Sequence, residues 1–168
     1  MHRVIGAVAL ALALGGCVQQ SGKGGMAFRD AAAPIYSVAA FDPGRLEGRW
    51  VQAAAFDATT KATCGPGALE FSGSGADLAV SGQLCLRGRM VPVAGRIGAL
   101  GQGRLTVPGM ENWWVLWVDS GYRTLAVGTP SGGFGFVLDR GQVPSDRLAA
   151  AREIFEFNGY RADAMGPI

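Results

Sequence analysis

Trp113-Trp114-Val115-Leu116-Trp117-Val118-Asp119, Arg123-Thr124-Leu125-Ala126-Val127-Gly128 and Phe134-Gly135-Phe136-Val137-Leu138-Asp139 follow one another with only short breaks between them. Each run is short for a helix and rich in β-branched and aromatic residues, and the breaks carry glycine, so the stretch predicts three successive strands. Working outward, five more runs of the same kind precede it: Gly48 to Phe56, Ala68 to Ser72, Asp77 to Leu86, Met90 to Ile97 and Arg104 to Val107. Gly73-Ser74-Gly75, Gly101-Gln102-Gly103 and Ser131-Gly132-Gly133 are the clearest hairpin turns, because tight turns need positive φ. Pro92 and Pro108 are expected at bulges or strand ends. Eight runs in a meander predict an all-β, eight-stranded antiparallel up-and-down barrel.

Composition agrees. The chain of 168 residues is 49% hydrophobic and 17% charged with 27 glycines, too apolar for disorder and too glycine-rich for a helical bundle. A net charge of +2 supplies no electrostatic footprint for nucleic acid, so no nucleic-acid partner is expected. At the far end the period changes. Pro144-Ser145-Asp146 opens a segment in which Leu148, Ala151, Ile154, Phe155 and Phe157 recur at helical spacing until Asn158-Gly159. This predicts a C-terminal amphipathic helix on the barrel wall, with Phe155 and Phe157 as packing residues.

Met1-His2-Arg3 followed by the apolar run Val4 to Leu14 reads as an export signal. Leu14-Gly15-Gly16-Cys17 resembles the bacterial lipobox, which implies that residues 1–17 are a lipoprotein signal ending at an acylated Cys17 bearing palmitate-type chains. Val18 in place of aspartate favours the outer membrane by the same resemblance, with the protein facing the periplasm. Residues 18–40 read as tether and lead-in, with little fixed structure up to about Ala33, and 41–168 as the barrel with its helix. Asp42-Pro43-Gly44 is a turn into the first strand.

The strand sequences then resemble one family. Leu46-Glu47-Gly48-Arg49-Trp50-Val51 resembles the Gly-x-Trp opening of the lipocalins. Val115 to Arg123 followed by Leu125 to Pro130 is similar to the sixth and seventh strands of bacterial lipocalins, and Phe134 to Arg140 looks like the last strand with its terminal arginine. The resemblance implies that Trp50 and Arg140 stack to plug one end of the barrel. Aligning the parity of the last strand with Arg140 turns Phe134, Phe136 and Leu138 inward. On the sixth strand both faces are apolar, and the resemblance turns Trp113 and Trp117 inward. Those five residues are the expected ligand wall, although a barrel of eight strands is narrow enough for side chains alone to fill it.

Cys64 and Cys85 remain once Cys17 is acylated, and in an oxidising periplasm an even pair predicts a disulfide between neighbouring strands. A metal is not expected, since the sole histidine lies in the signal segment. For a related reason neither catalytic residues nor a cofactor is expected. Arg87, Arg89, Arg96 and Arg104 are candidates for holding a carboxylate or phosphate head group at the mouth, against the simpler reading as solvated outer-face residues. The resemblance implies a membrane-anchored lipocalin that takes a fatty acid, lysophospholipid or similar amphiphile for envelope lipid storage or transport, with a homodimer left open. The rival is a periplasmic barrel-type protease inhibitor acting through its surface or its Met26 to Tyr36 arm.

Overall fold

A computed structural model describes residues 27–57 and 63–168. The signal segment, Cys17 and residues 18–26 of the tether lie outside the described residues. The strands are β1 (Gly48–Phe56), β2 (Ala68–Ser72), β3 (Ala79–Leu86), β4 (Arg89–Arg96), β5 (Gly98–Gly101), β6 (Arg104–Thr106), β7 (Trp113–Val118), β8 (Thr124–Gly128) and β9 (Gly135–Asp139). Helix α1 (Ser145–Phe157) and a short β10 (Met165–Pro167) follow.

All pairings are antiparallel, in the order β4-β3-β2-β1-β9-β8-β7-β6-β5, with β10 added beside β1. The path therefore holds nine strands rather than eight. Its two ends, β4 and β5, are joined through the single residue Ile97, so one bent stretch of chain pairs with β3 on its first half and with β6 on its second. The barrel is nearly closed, and covalent continuity completes it where no ladder does. Pro92 lies within β4, opposite Gln83, and not at a strand end. It is tolerated because β4 is the last strand of the path and no strand beyond it needs the missing N–H. On that open side the Pro108 ring packs against Gly95, where a Cβ would stand 2.8 Å from Pro108 Cγ.

The barrel has two distinct ends. β1 runs from Trp50 at one end to Phe56 at the other, and the described residues of the β1–β2 connection gather with 87–88, 107–112 and 129–134 at the Phe56 end. At the Trp50 end the Arg140 guanidinium carbon lies 4.3 Å from the centroid of the Trp50 ring. Trp50 Nε1 donates to the Leu46 carbonyl at 2.7 Å, while Arg140 Nε and Nη2 donate to the carbonyls of Tyr122 and Arg45 at 2.9 and 2.8 Å. This end is shut by a stacked cation and ring whose polar atoms are satisfied by the surrounding turns.

The hairpin joining β7 to β8 is held by Asp119. Its carboxylate accepts from the backbone N–H groups of Gly121, Arg123 and Thr124 and from the Arg123 side chain at 2.8 Å. Burial pushes the carboxyl pKa up, but these bonds outweigh it and hold the value below its ordinary one. A carboxylate whose folded pKa is depressed contributes stability that is fully present above its unfolded value of about 3.9 and lost as pH falls through the folded value. Urea unfolding of Asp119→Asn against the parent protein is therefore expected to show a clear deficit at neutral pH that narrows as pH falls below about 4. A deficit independent of pH would assign the loss to geometry instead of charge.

Outside the barrel, α1 packs on β7 and β8 through Ala151 and Phe155, which join Phe56, Leu116, Val137 and Tyr160 in a second core. Phe157 departs from the packing expectation: it is 70% exposed and meets Tyr36 at 5.8 Å. Arg147 ties the helix to the barrel by an ion pair with buried Asp139 at 3.3 Å and a bond to Thr124 Oγ1 at 2.6 Å.

Of residues 27–40, those up to Ala33 are not the loose tether expected for them, and the lead-in that follows is docked as well. Phe28 is 1% exposed, its N–H donates to the Gly132 carbonyl at 2.8 Å, and its carbonyl accepts from Arg161 at 2.8 Å. Arg29 is buried too, with Nε on the Asn158 carbonyl at 2.7 Å and Nη1 on the Pro130 carbonyl at 3.0 Å. Gly132 makes this docking feasible, since it adopts φ +66° and a Cβ there would sit 2.3 Å from Arg29 Cβ. The segment is a strap that starts at the Phe56 end and reaches the Trp50 end, where Asp42 N–H donates to the Tyr122 hydroxyl at 2.8 Å.

Candidate functional site: the barrel mouth

Strand alternation sends one set of side chains into the lumen. Trp50, Leu69, Phe71, Leu84, Trp113, Phe136 and Leu138 are all almost completely buried there, and together they fill most of the interior. A polar group sits among them: Gln52 Nε2 donates to the Cys85 carbonyl at 2.8 Å, and its Oε1 accepts from the Cys85 and Gly67 N–H groups. A cleft of about 560 Å³ opens at the Phe56 end, lined by Leu86, Arg87, Arg89, Val91, Gly109, Met110, Glu111 and Phe134. That volume lies within the ~300–1,000 Å³ usual for small-molecule sites.

The cleft forms on the open side of the β4 seam. Arg89 and Val91 approach from β4, Leu86 and Arg87 from the end of β3 and its turn, and Gly109 to Glu111 from the β6–β7 connection. Phe134 stacks on Phe136 at 6.2 Å, and Phe136 meets Trp113 edge-on at 5.1 Å, so a continuous aromatic column leads from the rim into the lumen. The Trp113 indole N–H is buried and meets no acceptor among the described residues.

The rim is held by polar contacts. Glu111 accepts from the Ser131 N–H at 2.9 Å and from its hydroxyl, and Arg87 Nε donates to the Gly133 carbonyl at 2.6 Å. The Tyr160 hydroxyl accepts from the Thr129 N–H at 2.7 Å and faces the carbonyls of Thr129 and Phe134, and burial pushes its pKa up. It therefore stays protonated as the anchor of the 129–134 loop. Arg89 is exposed at the rim. The cleft thus combines an apolar wall with guanidinium groups at its edge.

No family model and no curated protein matches the chain. Solved structures do. Apocrustacyanin C1 superposes with a TM-score of 0.55 at 12% identity, covering 80% of this chain and 88% of that one. Lobster apocrustacyanin A1 gives 0.50 at 13%, over 80% and 89%. The siderocalin Ex-FABP gives 0.54 at 14%, over 73% and 88%.

The fold is that of a lipocalin. Identities this low speak for the fold alone. In this barrel the five residues expected to form a ligand wall have three different fates. Phe134 lines the cleft. Trp113, Phe136 and Leu138 point into the lumen but are packed as core. Trp117 lies outside, against the α1 cluster, because the β7–β8 register slips between Val115 and Trp117. A bulge of one residue there reverses the alternation, so Val118 returns to the lumen face while Leu116 and Trp117 both face out.

Of the four arginines considered for a head group, Arg87 and Arg89 reach the mouth. Arg96 is at the other end, paired with Asp77 at 2.6 Å, and Arg104 lies over the Trp114 ring at 4.3 Å. Cys64 and Cys85 form the disulfide, although Cys64 sits in the β1–β2 connection and not on a strand. Val91, Met110 and Glu111 were not singled out by sequence. Met110 and Glu111 belong to Val107-Pro108-Gly109-Met110-Glu111-Asn112, whose only signal is that of a turn.

Proposed function

We propose that the chain is a lipid-anchored lipocalin of the bacterial outer membrane that binds an amphiphile with an acidic head group, such as a fatty acid or lysophospholipid, without covalent chemistry. The observation that carries this reading is the mouth cleft, apolar on its wall and bordered by Arg87 and Arg89. The acyl chain would lie along Leu86, Val91, Met110 and Phe134, gaining ~25 cal/mol per Å² of apolar surface removed from water. The head group would meet the guanidinium groups. The fold neighbours support a binding role, since Ex-FABP is described as working through dual ligand specificities. The lipobox-like Leu14 to Cys17 and the residue Val18 support the periplasm-facing location. Storage or transport of envelope lipids is the role that fits.

The protease-inhibitor alternative draws support from the packed lumen. It draws none from the arm, because the described part of that arm is docked, with Phe28 and Arg29 buried.

Native mass spectrometry of protein purified from a lipid-rich host is expected to show a stoichiometric acidic lipid. Val91→Glu is expected to remove it, and Arg89→Ala to lower affinity about tenfold, the worth of one charge-assisted hydrogen bond. Trp117→Glu, on the outer face, is expected to leave binding intact. A clean apo mass that persists after incubation with palmitate and lysophosphatidylglycerol rejects the reading.

A further inference from the structure

The strap fixes where the tether leaves the barrel, and that point is the mouth. Phe28 is bonded to Gly132 in the 129–134 loop, and the Arg87 guanidinium lies 5.4 Å from the centroid of the Phe28 ring. The same loop supplies Phe134 to the cleft and holds Arg87 through Gly133. Nine residues lie between Cys17 and Ala27, so the ten steps of chain from one to the other reach at most ~36 Å. β1 has nine residues, about 30 Å of strand and roughly 23 Å of barrel height at the usual tilt.

We infer that the barrel docks mouth-first on the bilayer that carries its anchor, with the β3–β4 turn at the surface, so that a lipid passes between membrane and cleft without crossing bulk water. This rests on the proposed acylation of Cys17. Mouth-first docking asks nothing of the tether. Docking by the Trp50 end would lift Ala27 by about the barrel height and require most of the tether's reach to be stretched along the wall. The surface presented suits an anionic bilayer: Arg87 and Arg89 are exposed on the turn, beside Met90, one of the few large apolar side chains left exposed among the described residues. Each arginine near an anionic surface favours binding, and Met90 is placed to enter the head-group region.

The test uses the full chain, processed in its host and reconstituted in vesicles of phosphatidylethanolamine and phosphatidylglycerol with a head-group quencher. A bimane is carried either on Asn112→Cys at the mouth or on Ala76→Cys in the β2–β3 turn at the opposite end; both sites are exposed. The mouth label is expected to be quenched several-fold more than the other. Arg89→Glu is expected to reduce that difference, as is lengthening the tether between Gly25 and Met26. Equal quenching, or stronger quenching at Ala76, overturns the inference, and so does an intact mass showing Cys17 without lipid. No ligand takes part in this measurement. A protein that docks mouth-first yet binds no amphiphile would refute the ligand reading while leaving the orientation standing.

Discussion

Replacing Trp50 by alanine is expected to lower the unfolding free energy by about 3–5 kcal/mol, the usual cost of deleting a fully buried large aromatic. Trp50 is 0% exposed and closes one end of the barrel. Three losses coincide in the variant. The ring leaves a cavity among Leu46, Leu69 and Leu138, the Leu46 carbonyl loses its 2.7 Å donor, and Arg140 loses the face on which it rests. The result is read as the urea unfolding free energy, with a fall in Tm of roughly 10 °C for a domain of this size. Arg140→Lys is the companion measurement. It keeps the charge but cannot donate to the Tyr122 and Arg45 carbonyls with the same fork, so a smaller loss is expected. A loss below about 1 kcal/mol in Trp50→Ala would mean that this end is not a structural plug. The proposed ligand binding at the opposite end should survive in whatever fraction remains folded.

The plug could be read from sequence because it obeys simple alternation. β9 has no bulge against β8, so counting by twos from Phe136 through Leu138 reaches Arg140 on the same face. The same counting fails on β7. Trp113, Val115 and Trp117 share parity in the sequence, and all six residues from Trp113 to Val118 are apolar, so no polar residue marks the bulge at Leu116. Parity read without that bulge turns Trp117 inward, whereas it packs outside with Leu148 and Ile154. A local register shift is decided by pairing with β8 and leaves no mark in β7 itself.

Strand ends divide along similar lines. β1 and β2 begin and end where the apolar runs do, because turns or polar residues bound them. β5, with the sequence Gly-Ala-Leu-Gly, shows no strand preference at all. It pairs with β6 because Ile97 carries the chain round the bend from β4, a tertiary cause that overrides propensity. The strap was hidden for another reason. Its composition is that of a linker, and its docking rests on two residues, Phe28 and Arg29, meeting partners more than 100 positions later: Gly132 for Phe28, and Asn158 and Tyr160 for Arg29. The cleft was half legible: Phe134, Arg87 and Arg89 stood out by type, but the gap that holds them exists only because β4 has no partner beside the 107–112 connection.

Removing the disulfide by replacing both Cys64 and Cys85 with serine is expected to cost about 3 kcal/mol, the chain-entropy value for a closed loop of this length. The bond joins residues 21 apart and ties the β1–β2 connection to the end of β3. Its position makes it more than a staple on the unfolded chain. The Cys85 backbone N–H and carbonyl both bond to Gln52 inside the barrel, at 2.7 and 2.8 Å, and Gln52 also takes the Gly67 N–H. Loosening this corner threatens a polar cluster that is fully paired only while β1, β3 and the connection stay together, and a half-satisfied buried network costs more than none. Leu86 and Arg87, which line the cleft, follow directly after Cys85. The serine pair should therefore show both a lower unfolding free energy and weaker binding of the proposed amphiphile at temperatures where it is still folded. Adding Gln52→Leu separates the two contributions. If the disulfide acts only through the unfolded chain, the two losses add; if it holds the Gln52 cluster in place, the triple variant loses less than their sum. An unchanged unfolding free energy in the serine pair would refute the first claim, and unchanged binding the second.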